Sequence, residues 1–171
     1  GARFSNAVVS LKKTPADITW KSGIDVLTFG GTKNGCLDAE AIIFFNLEDI
    51  KNFKYLQKRS GQLLSKMRFL SAQLDAYISN NLWYKNAKNS NNMAKILSTK
   101  LSRLNSIEIT YPTESNEVFV KIPKSIQDHL TKKGYYAVPD ETFDGSVRFV
   151  SAWNTTEKDI DKLVNTIREK L

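Results

Sequence analysis

The sequence is poor in the residues that build disulfides and metal sites. Its 171 residues include one cysteine, Cys36, and one histidine, His129. A single cysteine cannot form an internal disulfide, and one cysteine with one histidine gives poor support to a metal site. We therefore expect no bound metal and a structural or incidental role for Cys36.

Long apolar runs are also missing from the sequence. No segment approaches the roughly 20 apolar residues that a helix needs to span a bilayer, and the N-terminus has neither the apolar region nor the cleavage pattern of a signal peptide. A soluble cytoplasmic protein without membrane contact is the expectation. With 41% hydrophobic residues, the chain can bury the core of one domain, or of parts of two.

The charge of the chain is positive but not concentrated. The net charge is +7 at pH 7, which favours attraction to anions such as nucleic acid, acidic lipids or phosphorylated ligands. Lysines and arginines are spread from Lys12 to Lys170 and alternate with acids, as in residues 157–162. This distribution is typical of a solvated surface and argues against a nucleic-acid-binding arm. A basic, noncatalytic binding module remains an alternative.

The apolar pattern predicts an α/β arrangement in the first half of the chain. Residues 26–29 and 41–45 are apolar at nearly every position, which is typical of strands covered on both faces by helices. Helices are predicted at 3–13, 47–59 and 62–80. The last of them has an apolar stripe that we expect to pack in the core, formed by Leu63, Leu64, Met67, Leu70, Leu74 and Ile78.

The second half of the chain predicts an α+β unit. It opens with a polar helix at 83–104, and we place a domain boundary between residues 81 and 82. Thr156 and Asp159 have the spacing of a capping box at the start of the final helix. Strands are predicted at 107–111, 117–122, 135–138 and 147–151, and further helices at 123–133 and 156–171.

One lysine stands at a place that suits covalent chemistry. Lys33 follows a strand-like run and the pair Gly30-Gly31, and it precedes the turn signal Asn34-Gly35. Glycines leave room for a planar cofactor to approach the backbone. A lysine whose surroundings lower its pKa becomes a nucleophile toward carbonyl compounds such as pyridoxal phosphate. The alternative is a solvated lysine in a hairpin turn.

An arginine interrupts the apolar strand predicted at 147–151. A buried or half-buried arginine is costly unless it is paired, and the planar fork of Arg148 suits a carboxylate bound by two parallel hydrogen bonds. Two alternatives are an edge-strand arginine that faces water and an ion pair with a neighbour such as Asp144.

Four segments of the chain resemble the threonine aldolase family. They begin with Gly-Ala-Arg-Phe-Ser-Asn-Ala at residue 1 and continue, in the order of the family, through residues 25–41, 58–72 and 146–155. That family belongs to the aminotransferase-like pyridoxal phosphate enzymes of fold type I and is grouped with the aromatic amino acid β-eliminating lyases. The resemblance implies an α/β fold, with the end of the large cofactor-binding domain at residues 1–81 and a small α+β C-terminal domain at residues 82–171.

The resemblance also implies a cofactor and the residues that bind it. The cofactor is pyridoxal 5'-phosphate, with Lys33 as its covalent attachment point and Thr32 beside it. Lys58 and Arg59 are implied to help bind its phosphate, and a solvated helix end is the alternative for this pair. Asp38 departs from the family pattern Gly-Cys-Met-Gly-Ala-Glu, which leaves the conformation of this loop open.

The implied reaction cleaves a β-hydroxy amino acid into glycine and an aldehyde. Arg3 and Arg148 are implied to bind the α-carboxylate of the substrate, and a β-eliminating lyase of the same fold is the alternative. In the family, an aspartate that contacts the cofactor directly precedes the residue that corresponds to Gly1. The expected partners are therefore the missing N-terminal half of the enzyme and further copies in a homodimer or homotetramer.

Overall fold

The strands of the chain form two separate sheets, one in each half of the sequence. The computed structural model describes the main chain of residues 1–171 and every side chain except those of Leu47 and Asp49. Contacts between residues divide the chain into two units, Gly1–Asn86 and Ala87–Leu171. Each unit contains one of the sheets.

The first unit contains a two-stranded antiparallel sheet and several helices. Its regular elements are α1 (Phe4–Leu11), β1 (Val26–Gly30), β2 (Glu40–Phe44), α2 (Phe53–Arg59), α3 (Met67–Ile78) and the beginning of α4 (Leu82–Leu101). Short 3-10 helices lie at Trp20–Ser22, Leu47–Ile50 and Ser79–Asn81. In the sheet, Val26 of β1 lies opposite Phe44 of β2, and the pairing ends with Gly30 opposite Glu40.

Strands β1 and β2 are less covered than the sequence predicts. Phe29 is buried, but Val26, Ile42 and Ile43 are exposed, and Ile42 keeps 48% of its accessible surface. In this unit, few neighbouring elements are available to cover both faces of a two-stranded sheet. The prediction of strands covered on both faces is therefore wrong for the chain by itself.

The second and third helices of the first unit are shorter than predicted. Asn52 has a φ of 68°, a left-handed conformation that interrupts a helix, so a 3-10 turn and α2 replace the single helix. Helix α3 begins at Met67, which leaves Leu63 and Leu64 outside it, 49% and 51% exposed. The predicted core stripe is wrong at Leu63, Leu64 and Ile78, which are exposed, whereas its other three members are partly buried. The residue that α3 buries is Tyr77.

The second unit contains a four-stranded sheet and three helices. After the remainder of α4 come β3 (Glu108–Ile109), β4 (Glu117–Lys121), α5 (Lys124–Lys132), β5 (Pro139–Asp140), a 3-10 helix (Glu141–Phe143), β6 (Ser146–Val150) and α6 (Glu157–Arg168). The strand order is β3-β4-β6-β5. All neighbouring strands are antiparallel.

One face of the four-stranded sheet carries the core of the second unit. Side chains alternate between the two faces of a strand, so Val118 and Val120 of β4 are buried together with Val147 and Phe149 of β6. Arg148 lies between the last two and belongs to the other face. Helices α4, α5 and α6 complete the core with Met93, Ala94, Leu97, Leu101, Ile126, Leu130, Ile160, Leu163, Val164 and Ile167.

Two local predictions in the second unit have different outcomes. The capping box is confirmed, because the Thr156 hydroxyl accepts from the Asp159 N–H at 3.3 Å and the Asp159 carboxylate accepts from the Thr156 N–H at 2.9 Å. The strand predicted at 135–138 is wrong, since the residues that pair with β6 begin at Pro139. Proline has no N–H to donate, which suits it to the edge position that β5 occupies.

Helix α4 runs through the point where the two units meet in the sequence. The contacts divide the chain at Asn86 and Ala87, inside this 20-residue helix. The predicted boundary between residues 81 and 82 coincides with the start of the helix. Among the helices of the described residues, α4 included, none is long and apolar enough to cross a membrane.

Candidate functional site

Lys33 lies in a tight turn that directs its side chain outward. The carbonyl of Gly31 accepts two main-chain hydrogen bonds, from the N–H of Asn34 at 2.9 Å and from the N–H of Cys36 at 3.0 Å. The Gly31 N–H itself donates to the carbonyl of Ala39 at 2.9 Å, which closes the loop between β1 and β2. Gly31 and Asn34 are buried, whereas Lys33 between them is exposed.

The side chain of Asn34 anchors this turn from its inner side. Asn34 is 1% exposed. Its amide donates to the hydroxyl of Tyr77 at 2.5 Å and to the carbonyl of Trp83 at 2.8 Å. The amide of Asn86 in turn donates to the main-chain carbonyl of Asn34 at 2.9 Å. Lys33 is therefore carried by a turn whose next residue, Asn34, is hydrogen-bonded to other residues of the first unit.

The glycines before Lys33 serve packing within the chain. A Cβ built on Gly31 would lie 2.4 Å from Sγ of Cys36, so the absence of a side chain makes room for this cysteine. At Gly30 a Cβ would meet the carboxylate of Glu40. Both contacts are within the chain, so they account for the two glycines without a ligand, and the prediction that the glycines clear space for a cofactor stays a prediction. Burial, followed by the charge of Glu40, raises the pKa of the Cys36 thiol.

Three further residues implied to bind the cofactor lie on the surface of the same unit. Thr32 is exposed, and its hydroxyl donates to Oε1 of Glu40 at 3.4 Å. Lys58 and Arg59 are exposed in the last turn of α2, where the helix dipole favours positive charge. Their charge suits a phosphate, although the helix end alone also accounts for it.

One cavity of about 630 Å³ is lined both by residues that follow the Lys33 turn and by residues that follow α2. Asp38 and Glu40, at the end of the loop that carries Lys33, line one side of it, while Ser60 and Gly61, directly after α2, line another. The carboxylates of Asp38 and Glu40 disfavour a phosphate on their side. The phosphate-binding role of Lys58 and Arg59 stays a prediction.

Arg3 precedes α1 and is partly exposed. Its main-chain carbonyl accepts from the N–H of Ala7 at 3.1 Å, as expected at a helix start. Positive charge is unfavourable at this end of a helix dipole, so the helix gives no electrostatic reason for an arginine here. The substrate-binding role of Arg3 stays a prediction.

Arg148 is oriented by an acid and an aromatic ring. Nη1 lies 3.7 Å from Oε1 of Glu117, and the guanidinium carbon lies 5.8 Å from the ring centre of Phe143. Asp144, the partner considered from the sequence, pairs with Lys121 instead, at 2.6 Å. The Lys121 ammonium holds the pKa of the Asp144 carboxyl below its usual value.

The second unit also contains a cavity of about 690 Å³ whose lining includes Arg148. Tyr135, Asp140 and Thr155 contribute polar groups to its wall. Arginine offers five N–H donors, so contacts with Glu117 and Phe143 leave donors for a carboxylate. These two neighbours could not be predicted from the sequence, because they come from β4 and from the 3-10 helix before β6.

Known proteins resemble the chain along nearly its whole length. Residues 1–125 match the model of the family described as Beta-eliminating lyase. The chain belongs to the beta-eliminating lyase family. It is 43% identical over 170 residues to a low specificity L-threonine aldolase of Pseudomonas sp., and 38% identical over 170 residues to that of Pseudomonas aeruginosa. The matches cover 98% of the chain but 48% of each relative, so the chain spans about half their length.

Solved structures of this family have the same fold. A threonine aldolase structure from Leishmania major superimposes with a TM-score of 0.85 at 29% identity, covering 99% of this chain and 50% of that one. An aromatic amino acid beta-eliminating lyase/threonine aldolase from Exiguobacterium sp. gives 0.68 at 17% identity, covering 100% and 51%. Family resemblance and fold class are confirmed. The family depends on pyridoxal phosphate and has fold type I.

The residues of the lysine turn fit this cofactor in their chemistry. Covalent attachment needs a primary amine that solvent and ligand can reach, and Lys33 is exposed on a turn held from its inner side. Nearby, Thr32 offers a hydroxyl that could bind phosphate. Among the described residues, no group of three or more His, Cys, Asp or Glu side chains is arranged to hold a metal ion.

Proposed function

We propose that the chain forms part of a pyridoxal-phosphate-dependent aldolase that cleaves a β-hydroxy amino acid to glycine and an aldehyde. The observation that carries the proposal is the outward presentation of Lys33 by a turn whose neighbouring residue, Asn34, is buried and hydrogen-bonded. The threonine aldolases at 38–43% identity supply the class of reaction.

In this proposal Lys33 attaches the cofactor, and three further residues of the first unit help to hold its phosphate. The amine of Lys33 would hold pyridoxal phosphate covalently, while Thr32, Lys58 and Arg59 would contribute to phosphate binding through a hydroxyl and two positive charges. When bound, the cofactor supplies an electron sink for the pair left on Cα as the bond to Cβ breaks.

The two arginines orient the substrate through its carboxylate. Arg148 binds it with two parallel hydrogen bonds, while the Glu117 carboxylate and the Phe143 ring keep the guanidinium in place. Arg3 adds a second positive charge for the same carboxylate. Binding the carboxylate at a fixed place restricts rotation of the bound substrate, which lets the enzyme select the bond that breaks.

The proposal includes the remainder of the enzyme. Residues 1–81 complete the large cofactor-binding domain together with an N-terminal half, and residues 82–171 form the small domain. The chain's matches to about half the length of its relatives support the existence of a remaining part. We also propose a cytoplasmic homodimer or homotetramer.

Labelling of Lys33 tests the proposal. The chain, assembled with the remaining part of its enzyme, is mixed with pyridoxal phosphate, reduced with borohydride and mapped by mass spectrometry. We expect a phosphopyridoxyl group on the Lys33 peptide and none in Lys33→Ala. Lys13→Ala removes another exposed lysine and should keep the label. A folded assembly labelled elsewhere, or not at all, contradicts the proposal and favours a noncatalytic basic binding module.

A β-eliminating lyase of the same fold is the second candidate, favoured by the family model that matches residues 1–125. Product analysis distinguishes the two reactions on threonine. Aldol cleavage releases glycine and acetaldehyde, whereas elimination of water releases a 2-oxo acid and ammonia. We expect the first pair of products, and the second pair would replace the aldolase proposal.

A further inference from the structure

A buried tyrosine hydroxyl connects the turn that carries Lys33 to the helix that follows Arg3. Tyr77, near the end of α3, is 2% exposed. Its hydroxyl is hydrogen-bonded to the hydroxyl of Ser5 at 2.9 Å and accepts from the amide of Asn34 at 2.5 Å. Ser5 and Asn34 are each 1% exposed, so water does not replace either bond.

The two partners of Tyr77 are neighbours of the residues that carry the proposed function. Asn34 directly follows Lys33, and Ser5 lies two residues after Arg3, in the first turn of α1. The partners are 43 and 72 residues away from Tyr77 in the sequence. One hydroxyl therefore connects two segments that are remote from it along the chain.

The aromatic ring of Tyr77 restricts where this hydroxyl can lie. The ring centre is 5.6 Å from that of Phe29 in β1. Cδ1 of Tyr77 lies 3.5 Å from the place that a Cβ on Gly31 would take. Because the ring packs against the end of β1 and the start of the turn, the hydroxyl is a fixed point for its two partners.

Both N–H groups of the Asn34 side-chain amide are used as donors. The second N–H of the Asn34 amide donates to the carbonyl of Trp83. Burial raises the pKa of Tyr77, an effect that its hydrogen bonds with Ser5 and Asn34 oppose. Removal of the hydroxyl would leave a buried amide hydrogen without its partner, and buried unpaired donors are costly.

We propose that Tyr77 is a positioning residue that fixes the Lys33 turn relative to the start of α1, and so sets the spacing between Lys33 and Arg3. The inference rests on the proposed function, since it needs Lys33 to bind the cofactor and Arg3 to bind the substrate. Tyr77 acts through Asn34 and Ser5 and touches neither ligand.

Tyr77→Phe tests this inference in the chain assembled with the remaining part of its enzyme. The readouts are the rate at which pyridoxal phosphate labels Lys33 and the KM and kcat for threonine. We expect labelling to slow and KM to rise by roughly three- to tenfold each, the factor that corresponds to one lost hydrogen bond. Tyr55→Phe, which removes an exposed hydroxyl in α2, is the control that should match the wild type.

Ser5→Ala distinguishes the hydrogen bond of Tyr77 with Ser5 from its hydrogen bond with Asn34. It removes the bond to α1 and keeps the bond between Tyr77 and Asn34, so we expect a raised KM with a labelling rate at Lys33 equal to the wild type. A merely structural role would lower the stability of both variants without this split.

The outcomes are distinguishable. Wild-type labelling rates and KM values in both variants overturn the inference. If Tyr77→Phe does not fold, Ser5→Ala decides alone, and an unchanged KM overturns it. If the wild type itself is not labelled at Lys33, the proposed function fails and the inference falls with it.

Discussion

At the scale of single residues, the role proposed for Arg148 can be separated from cofactor attachment. Its guanidinium lies near Glu117 and Phe143 and is proposed to bind the substrate carboxylate. Arg148→Ala removes two charge-assisted hydrogen bonds from that carboxylate. We expect the KM for threonine to rise roughly 100-fold or more, with labelling of Lys33 unchanged, as measured by steady-state kinetics and peptide mapping.

Arg103→Ala is the matched control for this variant. Arg103 is an exposed arginine of the same unit to which no role is assigned, and its replacement should leave KM unchanged. If Arg148→Ala lost the label as completely as Lys33→Ala, the separation of substrate binding from cofactor attachment would be wrong.

Replacement of Gly31 is expected to destabilise the chain for a steric reason. A Cβ at this position would lie 2.4 Å from Sγ and 2.9 Å from Cβ of Cys36. Gly31→Ala should therefore lower the free energy of unfolding by about 1–3 kcal/mol, the usual cost of overpacking. Urea unfolding of the purified chain measures it.

A second substitution identifies the clash. Cys36→Ala removes Sγ, so the cost of Gly31→Ala should be smaller in the Cys36→Ala background than in the wild type. Equal costs in the two backgrounds would mean that Cys36 is not what excludes a side chain at Gly31.

At the scale of elements, a small ionic cluster joins α5 to the end of α6. The Glu169 carboxylate lies 3.0 Å from Nε2 of His129 and 3.4 Å from Nζ of Lys133. The hydrogen bond with His129, followed by the charge of Lys133, lowers the pKa of Glu169 from 4.5. The charged form of Glu169 is therefore favoured in the folded chain.

This shift gives the cluster a defined pH dependence. A carboxyl whose pKa is lower in the folded chain binds its proton less readily there, so its stabilisation is fully present above pH 4.5 and is lost as the pH falls through the folded pKa. Glu169→Gln should lower the unfolding midpoint at pH 6 and should have no effect at a pH below the folded pKa, by thermal unfolding at both.

Glu141→Gln supplies the comparison, because Glu141 is an exposed acid outside this cluster. Its replacement should leave the midpoint unchanged at both pH values. A Glu169→Gln effect that was larger in acid than at pH 6 would have the opposite sign and would contradict the assignment.

At the scale of the whole molecule, the sequence predicts local features better than it predicts which side chains are buried. The capping box of Thr156 and Asp159 is confirmed because its two residues lie only three positions apart in the sequence. The stripe that includes Leu63 and Leu64 failed, because their exposure depends on which segments pack against them. The spacing of Leu70, Leu74 and Tyr77 could have drawn attention to the buried tyrosine.

The same distinction applies to the candidate site. The turn around Lys33 could be predicted from Asn34-Gly35, a short-range signal. The burial of Asn34 could not, because its amide is bonded to Tyr77, which is 43 residues away. The partner of Arg148 was missed for a similar reason, since Glu117 is brought close by the pairing of β4 with β6.

The exposed apolar side chains of β1 and β2 are expected to pack against the remaining part of the enzyme. Val26, Ile42 and Ile43 are exposed although their strands are apolar, and the chain spans about half the length of its relatives. Ile42→Asp would place a charge in that contact, and burying an unpaired charge is costly. We expect the assembly to weaken at least roughly tenfold, as measured by sedimentation of the mixed halves.

Leu171→Asp is the control for added charge on an exposed apolar residue, and it should assemble like the wild type. The isolated chain should keep its helix content in both variants, because neither position is buried in it. If Ile42→Asp assembled with wild-type affinity, the exposed face of β2 would not be part of the contact, and the apolar residues of β1 and β2 would need another explanation.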